Sequence, residues 1–284
     1  MATAVCARDH QPIHLQIVVE YIQKRLPRLR STSFAIDLAL VALSIRAAHL
    51  VDAFTPKKDA RNTFSSLLHR LRQANSLVAE ETEPSVLFID VVHVYEPTSE
   101  QSFFINAPLF LDTSPPHCPV FISADSSPHI LTEPPQTLPS LLHDLTNQLI
   151  RHSSSPTITI DLPQDLSPAS TVPLAAILLE YPVAYCPPAT INSEPLLGGV
   201  TLDVYQVSLN NVPARSFLNN NSHHVLLKFS CPSHLGSSYP DRLSPELTMV
   251  NLRSLFESRM MDHVDLESVI SIHHEVQTLD RVAL

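Results

Sequence analysis

Cys231 and His234 stand in the run "CPSH", a C-x-x-H spacing that can supply two of the four ligands of a zinc site. His223 and His224 lie just upstream, and His273 and His274 form a second adjacent pair among fifteen histidines. Neighbours in a strand point to opposite faces, so each pair can lend one ring at most to a common site. No neighbouring pair completes a four-ligand set. Cys231 and His234 are therefore metal candidates without a full shell, and the expectation is a protein that holds neither metal nor cofactor. His117-Cys118, locked in "PPHCPV", puts an imidazole next to a thiol. Adjacent residues rarely bring the two into nucleophile–base geometry, so the base would have to come from elsewhere; a half-buried structural cysteine is the competing reading. The carboxylates offer a third chemistry. Asp52, Asp90, Asp112 and Asp203 sit in or at the end of apolar, strand-like runs. Ligand crevices of open α/β sheets lie beyond the carboxyl ends of strands. Asp52 and Asp112 suit that place and are the candidate catalytic carboxylates of a small-molecule pocket. Asp90 and Asp203 are expected to face solvent by strand alternation.

Several familiar chemistries are excluded by composition. Three glycines, Gly198, Gly199 and Gly236, occur in 284 residues, against the usual share of about 7%. No G-x-G-x-x-G, P-loop or G-x-S-x-G elbow can be written with them. The longest apolar run, "FAIDLALVALSI" from Phe34, contains Asp37 and falls well short of the roughly 20 residues a span requires. The start "MATAVCARDHQ" lacks the basic and apolar regions of a secretory leader. Cys6, Cys118, Cys186 and Cys231 are widely spaced, as expected of free thiols in a reducing compartment. The expected location is the cytoplasm, with the nucleus as an alternative.

Charge is unevenly spread. Residues 1–75 carry eleven Lys/Arg against five Asp/Glu, +6, and the rest of the chain carries −16, for a net −10. Lys24, Arg25, Arg28 and Arg30 concentrate the excess, and such a split can mark a docking surface for an acidic protein partner. The competing reading packs the basic segment on the acidic body. Basic groups this few, with no aromatics among them, disfavour nucleic acid, and nothing points to a membrane.

Elements follow from periodicity. Pro12 to Leu26 reads as a helix, and Phe34, Leu38, Val41 and Ile45 form the stripe of a second, buried one. "AAHLVDAF" suggests a short strand ending near Asp52, and Thr55-Pro56 a helix start before Ala60, Phe64, Leu67, Leu68 and Leu71. The runs 86–97, 103–112 and 119–125 read as strands, Leu138 to Leu149 as a helix and "TITID" as a strand. Ser170 can cap a helix through Leu178, which Pro182 must end by Tyr181. The pair Gly198-Gly199 is expected to open a strand edge. Val183–Tyr185, "VTLDVYQVSL" with a bulge near Tyr205, and "VLLKFSC" then make an antiparallel meander. Ser244-Pro245 begins a helix, and "SVISIHHEV" is a last strand. The fold class is α/β, a single domain over 1–284 with a mixed sheet and helices packed on it, basic and helical in 1–75 and acidic in 76–284.

"HLVDAF" before a helix, "LAAILLEYPVAY", "LGGVTLDVYQVSL", "LLKFSCPSHL" and a strand near a closing "VAL" occur in this order. The order resembles the uncharacterised eukaryotic family founded on open reading frame 74 of human chromosome 1, from about residue 34 to 284. The resemblance implies one intracellular α/β domain. It also implies a glycine before the Tyr-Pro, where this chain has Glu180, and it assigns no activity or catalytic residues. Two functions remain open: a non-catalytic interaction or scaffold protein, or an enzyme of unfamiliar type that uses Asp52 and Asp112.

Overall fold

The computed structural model describes residues 28–52, 59–78, 88–112, 118–125, 127–152, 158–188, 197–210, 223–261 and 269–279. The expected helix over Pro12–Leu26 and the Thr55-Pro56 start lie outside them. Eight helices are described: α1 (Arg28–Ala42), α2 (Ala60–Val78), α3 (Ala107–Asp112), α4 (Leu138–His152), α5 (Pro168–Leu178), α6 (Ser233–Ser238), α7 (Pro240–Leu243) and α8 (Pro245–Met260). The strands are β1 (Ala48–Leu50), β2 (Val91–Glu96), β3 (Gln101–Asn106), β4 (Val120–Ser123), β5 (Thr159–Asp161), β6 (Val183–Cys186), β7 (Thr201–Asn210), β8 (His223–Pro232) and β9 (Val269–Thr278). The class is α/β, as the alternation of patterns predicts.

The first sheet is mixed, with order β1-β3-β2-β5 and a parallel β2–β5 edge. Both faces are covered, and the pleat separates them. Val91 of β2 and Phe104 of β3 pack with Phe34, Leu38 and Val41 of α1 and Phe64, Leu67, Leu68 and Leu71 of α2. Val92, Val94, Phe103 and Ile105 pack on the opposite side with Leu138, Leu141, Leu145 and Leu149 of α4 and Leu174 of α5. The 3.6-residue stripes of these helices thus meet a sheet buried on both faces, whose strands β2 and β3 carry apolar residues on either side of the pleat.

The run 103–112 is not one strand. Asn106 accepts from Leu109 N–H at 2.9 Å and so caps α3, while its amide donates to Val41 O at 2.9 Å. The chain therefore turns to helix at Ala107, and Asp112 closes a helix rather than a strand. At α2 the cap is Asp59, whose carboxylate accepts from Arg61 N–H at 2.9 Å.

Helix α5 begins after Ser167, three residues before the predicted cap. Its end is a Schellman turn: Tyr181 N–H donates to Ala176 O and Glu180 N–H to Ile177 O. Glu180 sits in the left-handed region at φ +58°, the position where glycine is usual. The helix stops here, ahead of the restriction Pro182 places on Tyr181.

The expected meander is real in part. β7 pairs antiparallel with β8 and β9, in the order β8-β7-β9, whereas β6 pairs in parallel with β4. Strand 183–186 belongs to that separate two-stranded sheet, and the turn at 197–199 opens β7 without a hairpin to β6. Gly199, at φ +75°, donates to Leu279 O and brings the chain into β7 at the strand edge, as predicted. The parity change in β7 has a different cause from the one expected. β7 alternates without interruption and is buried on both sides; the bulge lies in β8, where Leu226 is skipped between Val207↔Leu227 and Ser208↔Val225. One face, with Tyr205, Val207, Leu227 and Phe229, joins Leu252 and Phe256 of α8 and Ile36 and Leu40 of α1 in a common core.

Candidate functional site

Helix α5, strand β6 and strand β8 leave a cleft of about 260 Å³ between them, with Leu50 and Gln101 of β1 and β3 on its far wall. The helix contributes Thr171, Val172, Ala175, Ala176 and Leu179. These positions recur every three to four residues because one helical face turns to the cleft. The Schellman turn then swings Tyr181 in, and β6 adds Val183 and Tyr185; Lys228, Phe229 and Ser230 come from β8. Three aromatic rings line an otherwise aliphatic hollow. The Tyr181 and Phe229 rings stack at 6.0 Å, Phe229 stacks on Tyr205 at 5.0 Å, and Tyr205 on His274 at 4.9 Å. A column of rings thus runs from β9 through the core to the cleft wall, and fixes the Tyr181 side chain where it lies.

Polar groups reach the cleft at its margins. Tyr185 OH donates to Ser230 O at 3.1 Å. Burial pushes the phenols of Tyr185 and Tyr181 up, so both are neutral donors at physiological pH. Among the described residues, no carboxylate, imidazole or thiol lines the cleft. Two other depressions differ in kind. One of about 390 Å³ lies between α4 and β5, along Asp144, Asn147, Gln148 and Arg151. One of about 160 Å³ gathers Cys118, Glu180, Arg242 and Thr248.

The residues picked out in the sequence are dispersed. Asp52 is exposed just past β1 and does not line the cleft, though its charge adds to the upward push on Tyr181 after burial and against Arg46. Asp112 is exposed at the end of α3 and lines none of the three depressions. Asp90 is exposed, but it lies in the turn before β2, so strand alternation is not the reason. Asp203 is not: at 5% exposure it lies on the inner face of β7 and accepts from His274 Nε2 at 2.9 Å. Its solvent-facing expectation fails because the central strand of a three-stranded sheet has two covered sides. The alternation argued for the histidine pairs does hold, since His224 and His274 turn inward while His223 and His273 are exposed.

Cys231 is buried, and burial, reinforced by Asp203, pushes its thiol up to about 12. His234 donates instead to Pro128 O at 3.0 Å. Among the described residues, no group of three or more His, Cys, Asp or Glu side chains is placed to hold a metal ion. Cys118 is exposed, and His117 lies outside the described residues. Arg28 and Arg30 open the first turn of α1; Lys24 and Arg25 lie outside the described residues.

Titratable clusters that sequence reasoning missed are internal. Asp37 Oδ1 accepts from Arg46 at 2.5 Å and from His224 Nε2 at 3.1 Å, with His49 Nδ1 at 3.9 Å. Burial pushes the Asp37 carboxyl up, but His49, the His224 hydrogen bond and Arg46 outweigh it and hold the group below its usual range. Glu180 forms a two-pronged pair with Arg259, one bond at 2.7 Å, and also accepts from Ala47 N–H at 3.3 Å. Ser123, His129 and Asp125 look like a hydrolase triad in composition only. Ser123 and Asp125 both approach the same nitrogen, Nδ1 of His129, at 2.8 and 4.0 Å, and Ser123 Oγ accepts His129 N–H. In a working triad the serine and the acid use different ring nitrogens; here they close a turn.

No curated protein and no solved structure matches the chain. A family model described as a domain of unknown function, DUF4504, fits residues 16–284, which takes in the described fold from α1 to β9, cleft included, and the chain belongs to that family.

Proposed function

We propose that the chain is a non-catalytic interaction protein whose recognition element is the cleft between α5, β6 and β8. One observation carries this reading: the cleft joins an apolar, three-ring interior to a hydrogen-bonding margin, the composition of a ligand seat. The inward-facing acids and histidines, Asp37, Glu180, Asp203, His224 and His274, are meanwhile used up in buried pairs. A fragment screen by 13C-methyl and aromatic NMR tests it. Aromatic or aliphatic fragments are expected to perturb Val172, Tyr181 and Phe229, and Ala175→Trp, which fills the hollow, is expected to abolish the response. Fragments that bind elsewhere, or with undiminished affinity to the filled variant, would overturn the reading.

A second reading keeps Asp52 as a functional carboxylate of an enzyme of unfamiliar type, because its charge is felt at the Tyr181 phenol in the cleft wall. It predicts that Asp52→Asn abolishes turnover of a cleft ligand while binding persists. The charge split of +6 over residues 1–75 against −16 beyond supports a protein partner docking through Lys24, Arg25, Arg28 and Arg30. Cytoplasmic residence accords with the dispersed cysteines. We also infer that the family is the one founded on open reading frame 74 of human chromosome 1, on the order of "LAAILLEYPVAY", "LGGVTLDVYQVSL" and "LLKFSCPSHL".

A further inference from the structure

We propose that the cleft takes a small monocarboxylic acid with an aromatic or aliphatic body, its carboxylate held by Lys228. The inference rests on the reading of the cleft as a ligand seat and adds the class of ligand. Lys228 is the only lysine beyond residue 58, in a part of the chain that is strongly acidic. It is exposed, lines the cleft, and has no acidic partner among the described residues. Two arginines of the acidic part are paired, Arg259 with Glu180 and Arg253 with Glu257 at 3.3 Å. A lysine without an acidic partner at the margin of an apolar hollow favours an anion, and the described lining holds no carboxylate to attract a cation.

The remaining groups agree in kind. The Gln101 amide and the Tyr181 hydroxyl line the cleft with no hydrogen-bond partner among the described residues, and the Thr171 hydroxyl is tied only by a long 3.4 Å bond to Ser167 O. They are neutral groups able to donate to a carboxylate. The body of the ligand would lie on Val172, Ala175, Leu179 and the Tyr181 and Phe229 rings. The number of charges decides against a phosphate. Phosphate sites rely on arginine forks or several cations, whereas a single lysine matches a single negative charge. At about 260 Å³ the hollow is also just under the roughly 300–1,000 Å³ of drug-sized sites, so the body is small.

The probes are 4-phenylbutyrate and its uncharged amide, 4-phenylbutanamide, titrated into the full chain at low ionic strength with chemical shifts and calorimetry as readouts. The acid is expected to bind roughly tenfold tighter than the amide, the size of one charge-assisted hydrogen bond. Lys228→Gln is expected to bring the acid down to the affinity of the amide without changing the latter. Val172→Trp is expected to remove both, and because Val172 is half-buried on α5, its fold is checked by melting before titration. Equal binding of acid and amide, unaffected by Lys228→Gln, would overturn the assignment of an acid while leaving the cleft a ligand seat. No binding of either probe to the folded wild-type chain would overturn the seat and the acid together.

Discussion

Glu180 holds two roles that oppose one another. Its backbone, at φ +58°, occupies the glycine position of the turn that ends α5, a conformation that costs a non-glycine residue about 1 kcal/mol or more. Its carboxylate, with 11% of the side chain exposed, neutralises Arg259, itself 10% exposed, and ties α8 to the turn and to Ala47. The resemblance drawn from the sequence implies glycine here, and the left-handed φ is the physical reason a glycine suits. In this chain glutamate remains because its partner is buried. Removing one member of a buried pair strands the other charge and costs about 3–5 kcal/mol. Glu180→Gly is therefore expected to destabilise by about 2–4 kcal/mol in urea unfolding, even though it relieves the backbone. Adding Arg259→Met to that variant is expected to recover much of the loss, since the stranded charge goes with it. A Glu180→Gly protein as stable as the wild type would show that the ion pair contributes no more than the backbone strain that glycine relieves.

Asn106 shows how an element boundary can be set from a distance. Its carbonyl caps α3 and its amide closes the end of α1 by donating to Val41 O and, at 3.0 Å, to Ser44 Oγ. Asn106→Ala loses a cap and the amide's buried bonds to Val41 O and Ser44 Oγ, though Val41 O keeps the Ser44 N–H at 3.1 Å, for an expected cost of about 2–3 kcal/mol. Asn106→Asp separates the two roles. Aspartate caps as well as asparagine, but it cannot donate to Val41 O, so it is expected to be at least as destabilising as alanine. A stable aspartate variant would assign the residue to capping alone. The long-range half of this role is part of why the run 103–112 reads as a single strand: apolar residues resume on both sides of Asn106, and one of the bonds that fix the boundary is to a residue 65 positions earlier. The helical stripes of α1, α2 and α4 were legible because their spacing is local. The pairing of β6 with β4 and the burial of both faces of β7 were not, because each depends on a segment far along the chain. The cleft was illegible for the same reason. Tyr181 and Tyr185 could be placed as neighbours of a helix stop, but nothing local connects them with Leu50, Gln101 or Lys228.

Across the whole molecule, two buried histidines govern the response to acid. His49 is 6% exposed beside Asp37, Arg46, His224 and the Phe34 ring; burial lowers its pKa to about 4 against the attraction of Asp37. His93 is fully buried among Phe64, Phe104 and Tyr95, with Nδ1 at 3.2 Å from Thr159 Oγ1. Burial, aided by Arg61 and opposed by Asp59, lowers its pKa to about 3. Nε2 of each ring has no partner among the described residues, as suits a neutral imidazole in an apolar setting. Both groups titrate near 6.5 in the unfolded chain. Above that pH they are neutral in both states and contribute no pH dependence. Below it the unfolded chain binds protons that the folded chain refuses, so stability falls as pH falls, from about 6.5 down to about 4 for His49 and about 3 for His93. Each is expected to remove up to about 2 kcal/mol between pH 7 and pH 5. His93→Phe keeps the packing with Phe64 and Phe104 and abolishes one of the two uptakes. Urea unfolding at pH 7 and pH 5 is then expected to show a pH-dependent loss about half that of the wild type, even if the variant is less stable at pH 7 through loss of the Thr159 contact. An unchanged loss between the two pH values would place the acid sensitivity elsewhere.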